Sequence, residues 1–364
     1  MICGGGIAAV EGLVRLRALT GDALDITVVA PNEDFRYRPL AVDEPFAAPG
    51  VRTYPMRQIA ERTRSEWVKD AGESVDVDAQ VLGIEGGREL PFDALLLAVG
   101  AKLVMPFAHV TAFDDRHADE GYHGVIQDVE GGYTKSVVLI IPEGHAWLLP
   151  AYELALMTAE RAYSMWQDGV EITVVTPEPA PLAALGEEAS AAVSELLDRA
   201  KVRVYTGAHP SVPSSQHVLV GPDGPQLEAG RVLALPRIEG RPLRGVPSED
   251  DFVPVDEFSR VPGTGQRVFA AGDETNFPFK HGSVGAQQAD VAAAGIAAMA
   301  GLYIEPEPLR PVIYAELHTG KDPLYITARM DNGRVDTEVT TEEAWPREEK
   351  LVARELGSFL ASLE

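Results

Sequence analysis

The feature that most narrows the fold is the opening string Met1-Ile2-Cys3-Gly4-Gly5-Gly6-Ile7-Ala8-Ala9. It reads as GxGxxA set between a short apolar strand and a helical stretch through Leu19. Val10, Leu13, Val14 and Leu16 give that stretch a buried stripe. Gly21 and Asp22 turn the chain into Ile26-Thr27-Val28-Val29, a β-branched strand. Strand, glycine turn, helix and strand make the first βαβ unit of a dinucleotide-binding fold. Glycines let the backbone approach a pyrophosphate, and the helix N-terminus meets the anion with free N–H groups and a positive dipole end. Gly4, Gly6 and Ala9, with Gly5 and Ala8 between them, are the expected receivers. Two departures stand out. Only three residues precede Gly4, against ~5–6 in an ordinary strand, so the strand is expected truncated or the recorded start late. Ala30 stands where an acidic residue usually holds the ribose, and Glu33 and Asp34 read as loop carboxylates.

The pattern recurs. Ile26-Thr27-Val28-Val29-Ala30-Pro31 returns as Ile172-Thr173-Val174-Val175-Thr176-Pro177, after an apolar run Ser136–Ile141 suited to a buried parallel strand and a helix from about Pro150 to Trp166. Two strand–helix–strand units predict an α/β chain with two Rossmann-like (doubly wound, three-layer) domains. The second unit lacks the nucleotide fingerprint. Its turn, Pro142-Glu143-Gly144-His145-Ala146-Trp147-Leu148-Leu149-Pro150, has one glycine, a carboxylate and a bulky indole, so NAD(P)H binding there is doubtful.

Charge and cysteine content exclude several classes. The net charge is −25, which repels nucleic acid. Cys3 is the single cysteine, which excludes an intrachain disulfide, a CxxC redox pair and a cysteine zinc site. The eight histidines form no HExxH pair or metal-spaced cluster, so no metal is expected. No GxSxG appears, which removes support for a hydrolase. The longest charge-free apolar run, Val291–Ile304, falls short of the ~18 residues of a membrane span. Met1 runs straight into glycines with no apolar leader. The chain reads as soluble, acidic and cytoplasmic, with peripheral membrane contact as the alternative.

Three further segments carry a resemblance. Gln266-Arg267-Val268-Phe269-Ala270-Ala271-Gly272-Asp273 is a short strand ending in a glycine turn and one carboxylate. It resembles the second flavin fingerprint of the pyridine nucleotide–disulfide oxidoreductase superfamily, flavoproteins with two dinucleotide-binding domains. Phe92-Asp93-Ala94-Leu95-Leu96-Leu97-Ala98-Val99-Gly100-Ala101 looks like that superfamily's middle motif, a strand ending in a Gly-Ala turn beside the flavin. Phe35-Arg36-Tyr37-Arg38-Pro39 is similar to the aromatic–x–aromatic–x–Pro segment of sulfide:quinone oxidoreductases, which type II NADH:quinone dehydrogenases nearly share. Asn276–Gly282 and Gly285–Asp290 resemble the segments C-terminal to the aspartate in those quinone reductases. Tyr152-Glu153-Leu154-Ala155 looks like the helix start of the NADH dehydrogenases, without their preceding glycines.

The resemblance implies noncovalent FAD in a discontinuous domain, residues 1–110 and 235–304. A degenerate NAD-type domain, 111–234, would be inserted in it, and a C-terminal region, 305–364, would form a cap or interface. Asp273, after Gly272, would hold the ribityl chain; Arg38, Pro39 and Gly100 would lie beside the flavin. Gly285–Met299 is expected as a helix ended by Gly301, aimed at the pyrimidine ring, with Gln287 and Gln288 near its edge. Lys280 and His281 are the catalytic candidates, as proton donors or as a solvated loop pair. His145 and Trp147 would face the flavin or simply pack. A terminal amphipathic helix after Glu348-Glu349-Lys350 would dock on the protein or on the second copy of a homodimer.

The implied activity is two-electron oxidoreduction between a small donor and a quinone-like acceptor, without redox-active cysteines. The alternatives are a flavin reductase using NAD(P)H at an unorthodox second site, and a non-catalytic flavin-binding or interaction protein of the same fold.

Overall fold

The computed structural model describes residues 1–114, 118–144, 147–331, 333–345 and 350–364. His145, Glu348 and Glu349 lie outside the described residues.

Ile2 and Cys3 form the first strand, and their short pairing is rescued by position. They sit at the centre of a five-stranded parallel sheet ordered 268–270, 95–97, 2–3, 27–29, 66–68. Alternation of side chains splits this sheet's contacts between two layers. Ile2, Val28 and Leu96 face the helices Ile7–Thr20 and Gly282–Met299, whereas Cys3, Val29, Leu95 and Leu97 face the antiparallel meander Gly72–Asp76, Val81–Ile84, Glu89–Pro91. The two helices approach closely because Gly12 has no side chain. A Cβ there would stand 2.6 Å from Leu96 Cδ2 and 3.5 Å from the Ala289 methyl.

The second sheet repeats the plan. Its five parallel strands are ordered 111–112, 231–234, 136–140, 171–175, 203–205. The expected helix runs Leu149–Ser164 and covers it, together with Ala118–Glu130 and Glu187–Arg199. Between the sheets, the outgoing strand Lys102–Val104 and the returning strand Arg237–Glu239 pair antiparallel, so both crossings run side by side. We propose 1–110 with 235–304, 111–234, and 305–364 as the domains, a division that keeps each parallel sheet whole.

The C-terminal region is a three-stranded antiparallel sheet, Val312–Leu317, Leu324–Asp331 and Arg334–Thr340, followed by the short helix Leu356–Ala361. Ile313, Ala315, Leu317, Leu324, Ile326 and Ala328 join the core of the second sheet. Leu351, Leu356 and Leu360 join the core of the first. This last region therefore ties both sheets together. Among the described residues no helix is long and apolar enough to cross a membrane, and no group of three or more His, Cys, Asp or Glu is placed to hold a metal.

Candidate cofactor and charge-relay site

Three turns of the sequence analysis meet at one edge of the first sheet. Gly4 follows the strand Ile2–Cys3, Ala98 follows Leu95–Leu97, and Ala271-Gly272 follows Val268–Ala270, and these three strands are adjacent and parallel. Their C-terminal ends, where open α/β sheets bind ligands, thus bring the three motifs together.

Each glycine has a distinct reason. Gly4 has φ +138°, and a Cβ on it would stand 2.0 Å from the Ala98 carbonyl oxygen. Gly6 is the N-cap of the helix Ile7–Thr20; nothing lies within 4 Å of its ideal Cβ, and no side chain of the described residues caps that helix. The positive helix end is therefore left to whatever anion approaches. Ala8 and Ala9 are buried, with the Ala8 methyl 3.3 Å from the position of a Cβ on Gly272. Gly100, at φ +70°, likewise has open space on its Cβ side. Asp273 is half-buried, as are Arg38 and Pro39 just after the strand Asp34–Tyr37.

Both glutamines, expected near the pyrimidine edge, also hold protein groups in place. Gln288 Oε1 accepts from Gly272 N at 2.8 Å and its Nε2 donates to Thr275 Oγ1 at 3.2 Å, so it fixes the aspartate turn. Gln287 exchanges hydrogen bonds with Val312: Nε2 donates to its carbonyl at 2.7 Å and Oε1 accepts from its N–H at 3.0 Å. It pins the C-terminal sheet to the helix Gly282–Met299. Glu33 is paired with Lys69 at the end of the neighbouring strands.

Glu274, which sequence reading passed over, is fully buried. Val99 N donates to its Oε1 at 3.1 Å, joining the middle motif to the aspartate motif. Burial holds its carboxyl well above the usual range, with the Asp273 charge adding to the effect. Lys280 is buried with its ammonium 3.7 Å from the Phe252 ring centroid, donating to the Thr275 carbonyl. Burial lowers its pKa to about 8, with Asp273 and Glu274 opposing. His281 caps the helix Gly282–Met299: Ser283 N donates to Nδ1 at 3.3 Å. Its ring lies 4.3 Å from that of Trp147. Burial, then the Lys350 charge, pushes it down to about 3, so it is neutral at ordinary pH.

Next to these residues lies a charge relay that no local pattern announces. His318 Nδ1 meets Asp43 Oδ1 at 2.8 Å and Nε2 meets Glu316 Oε1 at 3.2 Å, while its backbone N donates to Glu153 Oε1 at 3.0 Å. Lys350 Nζ donates to the same Glu153 oxygen at 2.5 Å. Glu153, Glu316 and Lys350 are buried and Asp43 nearly so. Desolvation and Lys350 oppose a charge on His318, but the hydrogen bonds to Asp43 and Glu316 outweigh them and raise it to about 9. Both ring nitrogens therefore carry protons. The relay touches the cofactor edge through the tail: Leu351 N donates to the Tyr37 hydroxyl at 3.1 Å, and the Leu351 side chain fills the space beside Gly282 and Ile7.

In the second domain, Glu178 follows the strand Glu171–Val175, near where a ribose-holding acid would stand. One oxygen of its carboxylate, Oε2, accepts from the Tyr152 hydroxyl at 2.5 Å and from Thr176 Oγ1 at 3.1 Å, while Oε1 is buried without a hydrogen-bond partner among the described residues.

No protein-family model matches the chain. A sulfide-quinone reductase of Aquifex aeolicus (strain VF5) is 27% identical over 193 residues, 49% of this chain, and the chain spans less than half, 43%, of that relative. The crystal structure of the sulfide:quinone oxidoreductase from Aquifex aeolicus superposes with a TM-score of 0.83 at 20% identity, covering 93% of this chain and 86% of that one. An NAD-dependent persulfide reductase from A. fulgidus gives 0.66 at 19% identity over 91% and 64%. A ferredoxin reductase from Rhodopseudomonas palustris gives 0.65 at 18% over 90% and 81%. The chain has the fold of these structures, with two Rossmann-like sheets, as its motifs predicted.

Proposed function

We propose that this chain binds FAD noncovalently and is a two-electron oxidoreductase passing electrons from a small donor to a quinone or similar small acceptor, without redox cysteines. The observation that carries the reading is the meeting of the Gly4, Ala98–Gly100 and Gly272–Asp273 turns at one sheet edge. The residues fit the cofactor: the uncapped helix end behind Gly6 suits the pyrophosphate, and the half-buried Asp273 suits the ribityl hydroxyls. Bound there, the flavin supplies the electron chemistry itself, so no protein nucleophile is needed.

The chain's own residues position and protonate. Gln288 and Glu274 hold the two turns in register. The His318–Asp43–Glu316 and Lys350–Glu153 contacts hold two cationic groups beside the tail that lines the site, where reduction of an acceptor calls for protons. Similarity in sequence and in structure to Aquifex aeolicus sulfide:quinone reductase supports a quinone-class acceptor. Nicotinamide reduction is the weaker reading, because the turn before Leu149 carries one glycine and the Glu143 carboxylate where a pyrophosphate needs glycines and free N–H groups.

The deciding experiment is an absorbance spectrum of the purified protein, with acid release of the cofactor, followed by anaerobic titration with candidate donors and reoxidation by a short-chain quinone. FAD at about one per chain and quinone-dependent reoxidation support the reading. Released FMN, or no flavin, refutes it.

A further inference from the structure

The tail 350–364 crosses the cofactor edge and is fastened on both sides of it. On one side, Lys350 Nζ donates to Glu153 and Leu351 N to the Tyr37 hydroxyl. The Leu351 side chain then lies against the first residues of both helices that start at the proposed flavin. Its Cδ1 stands 2.1 Å from where a Cβ on Gly282 would be, and Ile7 Cδ1 stands 3.2 Å from the same point. Only a glycine at the start of Gly282–Met299 lets Leu351 sit that deep, and the leucine is buried there. The tail next follows the helix Ile7–Thr20 as far as Glu11, where the short helix Leu356–Ala361 docks through Leu356 and Leu360.

That second fastening is an acid pair. Glu11 is buried and accepts from Glu355 N at 2.9 Å through Oε1 and from Leu356 N at 2.7 Å through Oε2, which closes the open end of the terminal helix. The Asp290 carboxyl, on the helix Gly282–Met299, faces it, and Asp290 Oδ1 is buried with no donor among the described residues. Two buried carboxylates in contact do not both stay ionised, and the orphaned oxygen is satisfied when the pair shares a proton.

The other charges facing the pair are Arg15, on the same helix as Glu11, and Arg354 and Glu355 on the tail. Arg15 Nη1 lies 2.9 Å from Glu355 Oε1, and Arg354 Nε lies 3.6 Å from Asp290 Oδ2. Two guanidinium groups thus meet three carboxyl groups, and one retained proton makes the group neutral. Burial, then the Asp290 charge, raises the Glu11 pKa to about 8, so the proton is kept below that value and lost above it.

We propose that the tail 350–364 is a strap closed over the flavin edge and that the proton shared by Glu11 and Asp290 is its latch. Loss of the proton leaves two carboxylates in contact, and lifting the strap lets water between them. The same movement withdraws Leu351 from the two helix starts. The closure rests on the FAD reading given above, whereas the latch does not.

The test uses the full chain loaded with FAD, at pH 6.5 and at pH 9. Hydrogen–deuterium exchange, corrected for the chemical rate, reads the tail amides, and recovery of flavin fluorescence reads FAD release. The expected result at pH 9 is faster tail exchange and FAD release at least fivefold faster. The strand Leu95–Leu97 should stay as protected as at pH 6.5, which marks the opening as local. In Asp290→Asn, whose amide donates to Glu11, both changes should shrink to within twofold. Lys280 and His318 titrate in that variant as in the wild type, so the difference between the proteins belongs to the pair. Glu11→Gln removes the same ionisation from the other side and should match. Tail exchange that does not rise, or that rises equally in both variants, overturns the latch. A tail that opens without faster FAD release overturns the strap, as does lost protection at Leu95–Leu97, which is global unfolding. A chain that holds no FAD at either pH sinks the flavin reading and the strap's place on it, while tail exchange still decides the latch.

Discussion

Gln288 Oε1 accepts the Gly272 N–H at 2.8 Å, so the helix Gly282–Met299 grips the turn that presents Asp273. The amide is buried, and removing it leaves the Gly272 N–H without that acceptor. Such a loss costs ~1–3 kcal/mol. Gln288→Leu is expected to lower thermal stability and to lose flavin on dilution, whereas Gln288→Glu should keep the acceptor and retain more flavin. Melting curves and flavin-to-protein ratios after gel filtration check both, and a Leu variant with unchanged flavin content would sink the assignment.

Asp273 is proposed to bond the ribityl chain directly, and Asp273→Ala should weaken FAD binding. A charge-assisted hydrogen bond is worth roughly 1.5–3 kcal/mol, or about 10- to 150-fold in Kd. Fluorescence titration of the apoprotein with FAD gives the number. An unchanged Kd would mean the carboxylate points elsewhere.

NADH and NADPH are expected to reduce the flavin slowly and without saturation. The turn before Leu149 lacks the glycines a pyrophosphate needs. Stopped-flow traces showing fast reduction that saturates at micromolar nucleotide would overturn this. Tyr152→Phe, which frees part of Glu178, should leave the slow rate slow.

Legibility in the sequence followed chain distance. The glycine turns could be read because strand, turn and helix are contiguous, and the turns Gly4, Ala98–Gly100 and Ala271-Gly272 follow three adjacent strands. The helix Gly282–Met299 could be read from its small residues and from Gly301, at φ +85°. Asp43, Glu153, Glu316, His318 and Lys350 could not, because each looks like a solvated charge until the C-terminal sheet brings them together. The alternation Tyr314, Glu316, His318, along the strand Val312–Leu317 and one residue past it, was the available signal, since a carboxylate and an imidazole on one face of a strand are neighbours. Gln287 and Gln288 were located correctly on their helix, but sequence alone does not say that their amides turn to Val312 and Gly272. The terminal helix came out short, Leu356–Ala361, because Leu351 is drawn down beside Gly282 and Ile7 instead of continuing a helical stripe.

Glu11 predicts a dependence of stability on alkaline pH. Its buried carboxyl accepts from Glu355 N at 2.9 Å and Leu356 N at 2.7 Å, holding the terminal helix. Burial and the neighbouring Asp290 raise its pKa to about 8. The folded state thus keeps a proton that the unfolded chain releases above about 4.5, so stability is full below that value and falls as pH rises through 8. His318, raised from 6.5 to about 9, acts in the same direction over its own window. Urea midpoints should therefore drop between pH 6 and pH 9, and Glu11→Gln should shrink the drop. A Gln variant with the full wild-type slope would show that Glu11 is not the titrating group.

The last prediction concerns Cys3, the one thiol of this sequence. It lies at the centre of the first sheet, facing the meander, and its Sγ stands 2.4 Å from where a residue other than glycine at position 72 would place its Cβ. Burial, then the Glu274 charge, pushes the thiol up to about 12. A thiol so protonated and enclosed is a small hydrophobe, not a nucleophile. It also ends a strand behind the Gly4 turn, so it packs under the cofactor edge instead of facing it. Iodoacetamide should leave the folded protein unlabelled and its turnover intact, with labelling appearing only in urea. Cys3→Ala should keep flavin content and activity, at a stability cost of about 1 kcal/mol for the lost sulfur contacts. Sulfide should bleach the flavin, if at all, without a persulfide on the protein, which mass spectrometry of the intact chain would register. Native-state alkylation of Cys3 that abolished turnover while flavin stayed bound, matched by an inactive Cys3→Ala protein, would overturn a cysteine-independent reaction.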